Sequence, residues 1–319
     1  MRKKLWLLPA LILLAVLAVG CGQDKVTQKK AENSVLKIGL LPVEDGLPLV
    51  LAEQKGYFAE QGLQVELVPF QSAVERDSAL QSGELHGVVT DVVAAALLRD
   101  SGLDIKITTL TLGASPQEGR FAILAAPGKG FEKLADLKGK TIGISQNSII
   151  EYVTDGLLKQ AGIAPEEIQK IAVPKIPVRL EMLLNGQLDA ATLPDPLATF
   201  AEFKGAKIIA ADTATNLSQV VLVMTNNALQ EKGEVMRRFF TAYSRAVAEL
   251  NSSPEKYRQL LVEEARIPEP IKDIYQMPHF PEPQLPEEEV VEDVLMWLTS
   301  KGLLQKEITF DDMVETGLY

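Results

Sequence analysis

The sequence predicts an α/β fold with two mainly parallel sheets, flanked by helices and arranged in two similar halves. Three observations lead there. From residue 35 to about 225, short apolar runs alternate with segments of helical period, the alternation that builds parallel strands covered by helices. The order of these elements repeats once, which fits a structural duplication better than an array of short repeats. At 319 residues and 46% hydrophobic content, the chain has material for about two domains with a full core.

In chain order, 36–41 predicts a strand, 47–54 a helix stopped near Gly56, and 65–70 a second strand. A helix over 73–81 stops at Gly83, a short strand covers 87–90, and a helix covers 92–99. Strands at 105–112 and 121–125 follow. The second half repeats the theme, with a short helix at 134–137 and strands at 141–145, 168–173 and 190–193. Helices at 149–160 and 178–184 lie between them, and Gly162 closes the first. Strands at 208–211 and 220–225 come next. The remainder is helical at 235–250 and 255–264, is interrupted by a proline-rich stretch at 267–286, and ends in a helix at 287–300 carrying Trp297.

The N-terminus has its own layout. Arg2, Lys3 and Lys4 precede an apolar run over 5–19, and Cys21, the sole cysteine, follows. The run is shorter than the ~20 residues that span a bilayer and has the form of a cleaved secretory signal. The cysteine placed after it resembles the lipobox of bacterial lipoproteins, with Ala18 where that motif usually has leucine. The resemblance implies a signal peptide at 1–20, a lipidated Cys21 and a flexible tether at 21–34. It also implies a protein outside the cytoplasm, anchored to the bacterial cell membrane. Cleavage after Ala18 by an ordinary signal peptidase, or retention as an uncleaved anchor, stays open.

Charge and residue types narrow the function. The formal net charge is −11, and setting aside Arg2, Lys3 and Lys4 leaves −14 for 21–319. Such a chain is repelled by nucleic acid and by anionic headgroups, so a membrane association falls to the lipid. With Cys21 consumed, no intrachain disulfide, thiol nucleophile or cysteine zinc site is expected. His86 and His279 are the only histidines and lie far apart. Gly139-Lys140-Thr141 ends like a phosphate loop, but Leu134 stands where its first glycine belongs. The expectation is a non-enzyme without cofactor or metal.

Four segments carry a family resemblance. Gly56-Tyr57-Phe58 with Gly62-Leu63-Gln64-Val65-Glu66-Leu67, then Ser82-Gly83-Glu84-Leu85, then Leu137-Lys138-Gly139-Lys140-Thr141-Ile142-Gly143, then Asn185-Gly186-Gln187-Leu188-Asp189-Ala190-Ala191 occur in order. Together they resemble periplasmic substrate-binding proteins of the type II fold, in the group handling sulfonates, taurine, nitrate and thiamine-precursor pyrimidines. One departure is His86, where the family usually has Asp, and it reads as a surface turn residue. The resemblance implies two lobes, 35–115 with 222–319 and 116–221, crossed near 113–120 and 194–225. It also implies a ligand cleft between them and delivery of the ligand to an ABC permease and its ATPase by a monomer.

In open α/β sheets ligands lie beyond the carboxyl ends of strands, which selects the candidate ligand residues. Asp45 and Gly46 follow the first strand, where Glu44 and Asp45 either cap a helix or line the cleft. Gln71 and Ser72 follow the second strand, with Arg76 on a solvated helix face. Asp91 follows the third strand and is also a natural N-cap. Gly113 opens the first crossing. Asn147 and Ser148 begin a helix, where a capping box from Ser148 to Glu151 competes with ligand contact. Tyr152 offers either a ring to stack on or core packing. Arg179 sits in a helix first turn, where the dipole disfavours a cation without a carboxylate partner. Asp195 lies between two prolines. Asp45, Asp91, Glu151 and Asp195 make the cleft acidic, which favours a nitrogen heterocycle or an amino-bearing compound. A sulfonate- or taurine-type anion balanced by Arg179 or Arg120 is the alternative, and an enzyme or a ligand-sensing subunit on the same scaffold are others.

Overall fold

The computed structural model describes residues 35–115, 118–215, 217–230 and 233–319. The expected signal segment, Cys21 and the tether lie outside them. Among the described residues ten strands form two five-stranded sheets. The first contains β1 (Leu36–Leu40), β2 (Val65–Pro69), β3 (Gly87–Asp91), β4 (Ile105–Leu112) and β10 (Val220–Thr225), in the order β2-β1-β3-β10-β4. The second contains β5 (Phe121–Ala125), β6 (Thr141–Ile144), β7 (Gln169–Ala172), β8 (Ala190–Pro194) and β9 (Lys207–Ala211), in the order β7-β6-β8-β5-β9.

The two sheets share one design. β1 runs parallel to β2 and β3, and β10 runs antiparallel to β3 and β4. Likewise β6 runs parallel to β7 and β8, and β5 runs antiparallel to β8 and β9. Four strands of each sheet therefore point one way and the fifth opposes them. Each opposing strand arrives directly from the other sheet, β5 after β4 and β10 after β9, so the chain passes between sheets twice, after Leu112 and after Ala211. This is a two-lobed α/β fold.

Helices cover the sheets. They are α1 (Leu47–Gln54), α2 (Tyr57–Glu60), α3 (Ala73–Gln81), α4 (Val92–Asp100), α5 (Ile149–Gln160), α6 (Ile176–Leu184), α7 (Leu197–Phe203), α8 (Asn226–Gln230), α9 (Gly233–Ser252), α10 (Arg258–Glu264), α11 (Glu288–Ser300) and α12 (Phe310–Met313). The longest, α9, buries Met236, Phe239, Phe240, Tyr243, Val247 and Leu250, a three-and-four spacing that puts one apolar stripe on the core. Sequence reading did not anticipate α2, α7, α8 and α12. Each is four to seven residues long, too short to hold without tertiary contacts.

The duplication reaches single atoms. In the first sheet Gly39 on β1 leaves room for the Leu85 side chain and the stem of Arg76, which a Cβ would meet at 2.8 and 3.1 Å. In the second, Gly143 on β6 does the same for Leu188 and Arg179, at 2.5 and 3.1 Å. His86 joins this correspondence. Its Nδ1 accepts the Lys37 N–H at 3.1 Å, just as Asp189 Oδ2 accepts the Thr141 N–H at 3.0 Å at the matching strand start. The expected surface turn residue is thus a strand-start acceptor that replaces the carboxylate.

Candidate functional site: a cleft at the carboxyl ends of the two sheets

The loop after β1 is a short 3-10 turn, Glu44–Gly46, leading into α1. Neither carboxylate caps a helix: the N-cap of α1 is Gly46, with no side-chain hydrogen bond. The capping alternative is therefore overturned. Glu44 is buried instead, its Oε1 accepting a hydrogen bond from the Tyr275 hydroxyl at 3.2 Å while Oε2 has no partner. Asp45 Oδ1 is likewise covered and unpartnered. Burial pushes Glu44 up to about 8, with Asp195 and Asp45 adding repulsion against the opposing hydrogen bond from Tyr275. Burial pushes Asp45 up to about 7, against the pull of nearby Arg76. Gly46 has a packing role, since a Cβ there would press on Leu40 at 3.2 Å.

Arg76 corrects the sequence reading. Expected on a solvated face, it is 3% exposed. Its Nη1 donates to the Val89 carbonyl at 2.7 Å, Nη2 to Thr90 Oγ1 at 2.9 Å, and Nε to Asp77 at 2.8 Å. It lies beneath Asp45 and Asp91 and is the cation that acts on both. Asp91 caps α4, its Oδ1 accepting the Ala94 N–H at 2.8 Å, and burial raises its carboxyl above the ordinary range. Ser72 caps α3 through the Glu75 N–H. Gln71 is exposed and accepts from Arg266 at 3.1 Å.

The second lobe presents Ser145 to Ser148 before α5. Asn147 holds a left-handed backbone, φ 54°, a conformation asparagine tolerates better than most residues. Its N–H donates to Glu151 Oε2 at 2.8 Å, so the expected capping box is displaced by one residue. Ser148 Oγ accepts from the Ile150 N–H and donates to the Ser145 carbonyl. Tyr152 takes the packing alternative: it is buried edge-on against Trp297 of α11, centroids 5.4 Å apart. Beside it Lys170 and Lys301 bridge Glu151 and Asp155, and Trp297 Nε1 donates to Asp155.

Arg179 is fully buried and has no carboxylate partner among the described residues. It donates to the carbonyls of Thr192 and Val173 and to Ser145 Oγ at 2.7–2.9 Å, and its Nη2 has no partner. Burial alone lowers it to about 10. Asp195, by contrast, is fully engaged within its own lobe. It accepts from Arg120 twice, at 2.9 and 3.1 Å, and from the N–H and hydroxyl of Thr199. The same Arg120 also reaches Glu202.

The crossings meet at Gly113. Its φ is 90°, and a Cβ would come within 3.0 Å of the Gln219 backbone. Asp212 ties the two crossings by accepting the Phe121 N–H and the Ser218 hydroxyl. Glu118 is buried against them, accepting from the Ala114 N–H at 2.7 Å and Ser115 Oγ at 3.0 Å. A cavity of about 320 Å³ opens between Arg120, Asp195 and Glu202 on one side and Tyr275, Gln276 and Met277 on the other. Another hollow of about 330 Å³, at Arg99, Asp104 and Lys306, lies by the start of β4, away from the strand ends where the carboxylates gather. The structure thus brings Asp45 and Asp91 together around Arg76, with Glu44 beside Asp45, while the remaining candidates are capping, packed or paired, apart from the bare Nη2 of Arg179. Tyr275, Tyr243 and Glu118 were missed; they sit in a proline-rich stretch, on an apolar helix stripe and in a crossing, where nothing in the sequence separates them from structural residues. Among the described residues no group of His, Cys, Asp and Glu is arranged to hold a metal, and no helix is long and apolar enough to cross a membrane.

The fold has many solved neighbours. It is similar to the periplasmic aliphatic sulphonate binding protein SsuA from Escherichia coli, with TM-score 0.76 and 20% identity over 88% of this chain and 92% of that one. It is similar to a ligand-binding component of an ABC-type import system from Staphylococcus aureus, with TM-score 0.71 and 17% identity over 89% and 97%. It is also similar to the desulfurization enzyme DSZB, with TM-score 0.66 and 14% identity over 89% and 97%, so the scaffold serves binding proteins and an enzyme alike. No curated protein sequence matches. The family model described as NMT1/THI5 like matches residues 44–257, most of the chain, and the protein belongs to that family.

Proposed function

We propose that the protein is the solute-binding component of an ABC importer, held outside the cytoplasm by a lipid on Cys21. In this reading the lobes, 35–115 with 222–319 and 116–221, close about the two crossings on a small molecule, and the closed form docks on the permease with its ATPase. The favoured ligand is a nitrogen heterocycle or an amino-bearing compound. The observation that carries this is the pair Glu44 and Asp45, each with a buried, unpartnered carboxylate oxygen in the turn at the carboxyl end of β1. Buried acceptors call for donors, and Arg76, the cation that acts on Asp45 and Asp91, is already bonded. A thermal-shift screen against pyrimidines, amines, amino acids, sulfonates, taurine and nitrate tests it. A ligand at ~100-fold its Kd adds about 2.7 kcal/mol; a screen in which only sulfonates shift the midpoint refutes the ligand class.

A second reading, a sulfonate- or taurine-type anion binder, is supported by the named binding protein from Escherichia coli and by the unpartnered Nη2 of Arg179 beside Ser145. An enzyme reading draws on the fold shared with DSZB. It meets a chain with one cysteine, Cys21, and two histidines, His86 and His279; turnover of a screened compound, followed by mass spectrometry, is its test.

A further inference from the structure

We propose that the cleft takes its ligand as a cation in exchange for a proton, with the carboxyl groups of Glu44 and Asp45 as the exchanging acceptors. This rests on the solute-binding reading above and specifies the charge state of what is bound.

Glu44 is 5% exposed, with one oxygen on the Tyr275 hydroxyl and the other bare. Asp45 has a bare, covered oxygen one residue along the same turn. The Tyr243 hydroxyl, fully buried on α9, also has no partner and feels Asp45, Glu282 and Glu118 as its charged neighbours. Thr111, with another unpartnered hydroxyl, sits on β4, against which the Glu44–Gly46 turn packs. The carboxylate oxygens accept when ionised, and the Tyr243 and Thr111 hydroxyls accept as well as donate, so a ligand with N–H donors or positive charge satisfies the whole group.

The charged groups facing the pair come from several elements. Asp195, after β8, repels Glu44, and Tyr275 bonds to it. Arg76 of α3 attracts Asp45, and Asp91 at the end of β3 repels it. Arg120, near Tyr275, is held by Asp195 and Glu202. Arg76 therefore acts on Asp45 alone of the pair, and it is committed to Val89, Thr90 and Asp77. Without a ligand, two adjacent buried carboxylates cannot both stay ionised at little cost, and the protons they hold near neutral pH compensate. Burial, with the neighbouring carboxylates, pushes Glu44 up to about 8 and Asp45 up to about 7. A cationic ligand supplies the charge instead, and the protons leave for solvent. Charge balances: cation in, proton out.

The test is calorimetry on the full chain in detergent. The probes are methylammonium, choline, 4-aminopyridinium and benzamidinium chlorides, beside sodium methanesulfonate and taurine. Each is titrated at several pH values in two buffers of different ionisation enthalpy. The expected result is that a cationic probe binds with release of roughly one proton near pH 7, falling toward zero by pH 9. Glu44→Gln and Asp45→Asn each weaken it about tenfold to a hundredfold and reduce the protons released. Binding of any probe without proton release, unchanged in both variants, overturns the exchange while leaving a solute-binding protein. Binding of methanesulfonate alone overturns both the exchange and the ligand class, and no binding by any probe overturns the exchange for these cations. A ligand-free arm guards against misfolded variants. Groups raised on folding stabilise the fold below their unfolded values and lose that contribution as pH rises through 7 to 8. The wild-type midpoint therefore falls between pH 6 and pH 9 relative to Glu44→Gln, and parallel curves for the two proteins overturn the proposal.

Discussion

The two lobes place an arginine in the same spot and surround it differently. Arg76 and Arg179 each run their stem over a glycine of the sheet's inner strand and donate to the carbonyl of the next strand, Val89 or Thr192. Around Arg76 stand Asp77, Asp45 and Asp91. Around Arg179 stand only neutral oxygens, and one of its nitrogens is bare. The shared skeleton is a packing solution, in which a long stem fills the space a missing side chain leaves. The electrostatics were free to diverge because they sit at the guanidinium end, past the carboxyl ends of the inner strands rather than in the packing of the stem. The likeness of the lobes therefore reports on fold, and their difference is the electrostatic one on which the proposed ligand preference rests.

The largest effect expected from this pairing is at the arginines themselves. Arg179→Leu strands two carbonyls and a serine hydroxyl in the core and costs on the order of 3–5 kcal/mol, readable by urea unfolding. Arg76→Leu costs a similar amount near pH 5 and more at pH 8, because Asp45 and Asp91 then lose their cation. Arg179→Leu shows no such pH trend, having no carboxylate beside it. Identical pH profiles for the two variants contradict the electrostatic distinction.

The glycines come next. Gly143→Ala drives a Cβ to 2.5 Å from Leu188 and Gly39→Ala to 2.8 Å from Leu85; overpacking of this kind costs about 1–3 kcal/mol. Gly143→Ala is expected to be the worse of the two, and the reverse order shows that the first sheet is the less yielding.

The smallest effect is at the strand starts. His86→Ala removes the acceptor of the Lys37 N–H and costs about 1 kcal/mol. His86→Asp, which imports the arrangement of Asp189 and Thr141, stays within about 0.5 kcal/mol of wild type. A thermal melt of His86→Asp as low as that of His86→Ala means the carboxylate does not fit the first sheet.

Much of this architecture was legible beforehand. The strands at 105–112, 121–125 and 220–225 and the helices at 47–54, 73–81 and 149–160 have the bounds the apolar pattern predicts, since burial on one face imposes its period on the chain. Gly39 and Gly143 were not singled out, because a glycine inside a strand does not announce what fills its space. Asp91 and Ser148 were legible as caps, a local matter of side chain and backbone. Arg76 was misplaced on a solvated face because its partners, Val89 and Thr90, lie a strand away.

By itself the sequence determined the α/β class, the repeated order of elements and the segments that place the chain among solute-binding folds. Those follow from periodicity and turn chemistry, which act over a few residues. Only the tertiary structure decided which charges are spent. Asp195 goes to Arg120 and Thr199, Tyr152 to Trp297, and Glu44 and Asp45 are left with bare oxygens beside Tyr275 and Tyr243. Burial and pairing are properties of groups brought together from strands and crossings up to some two hundred residues apart, and no local pattern records them.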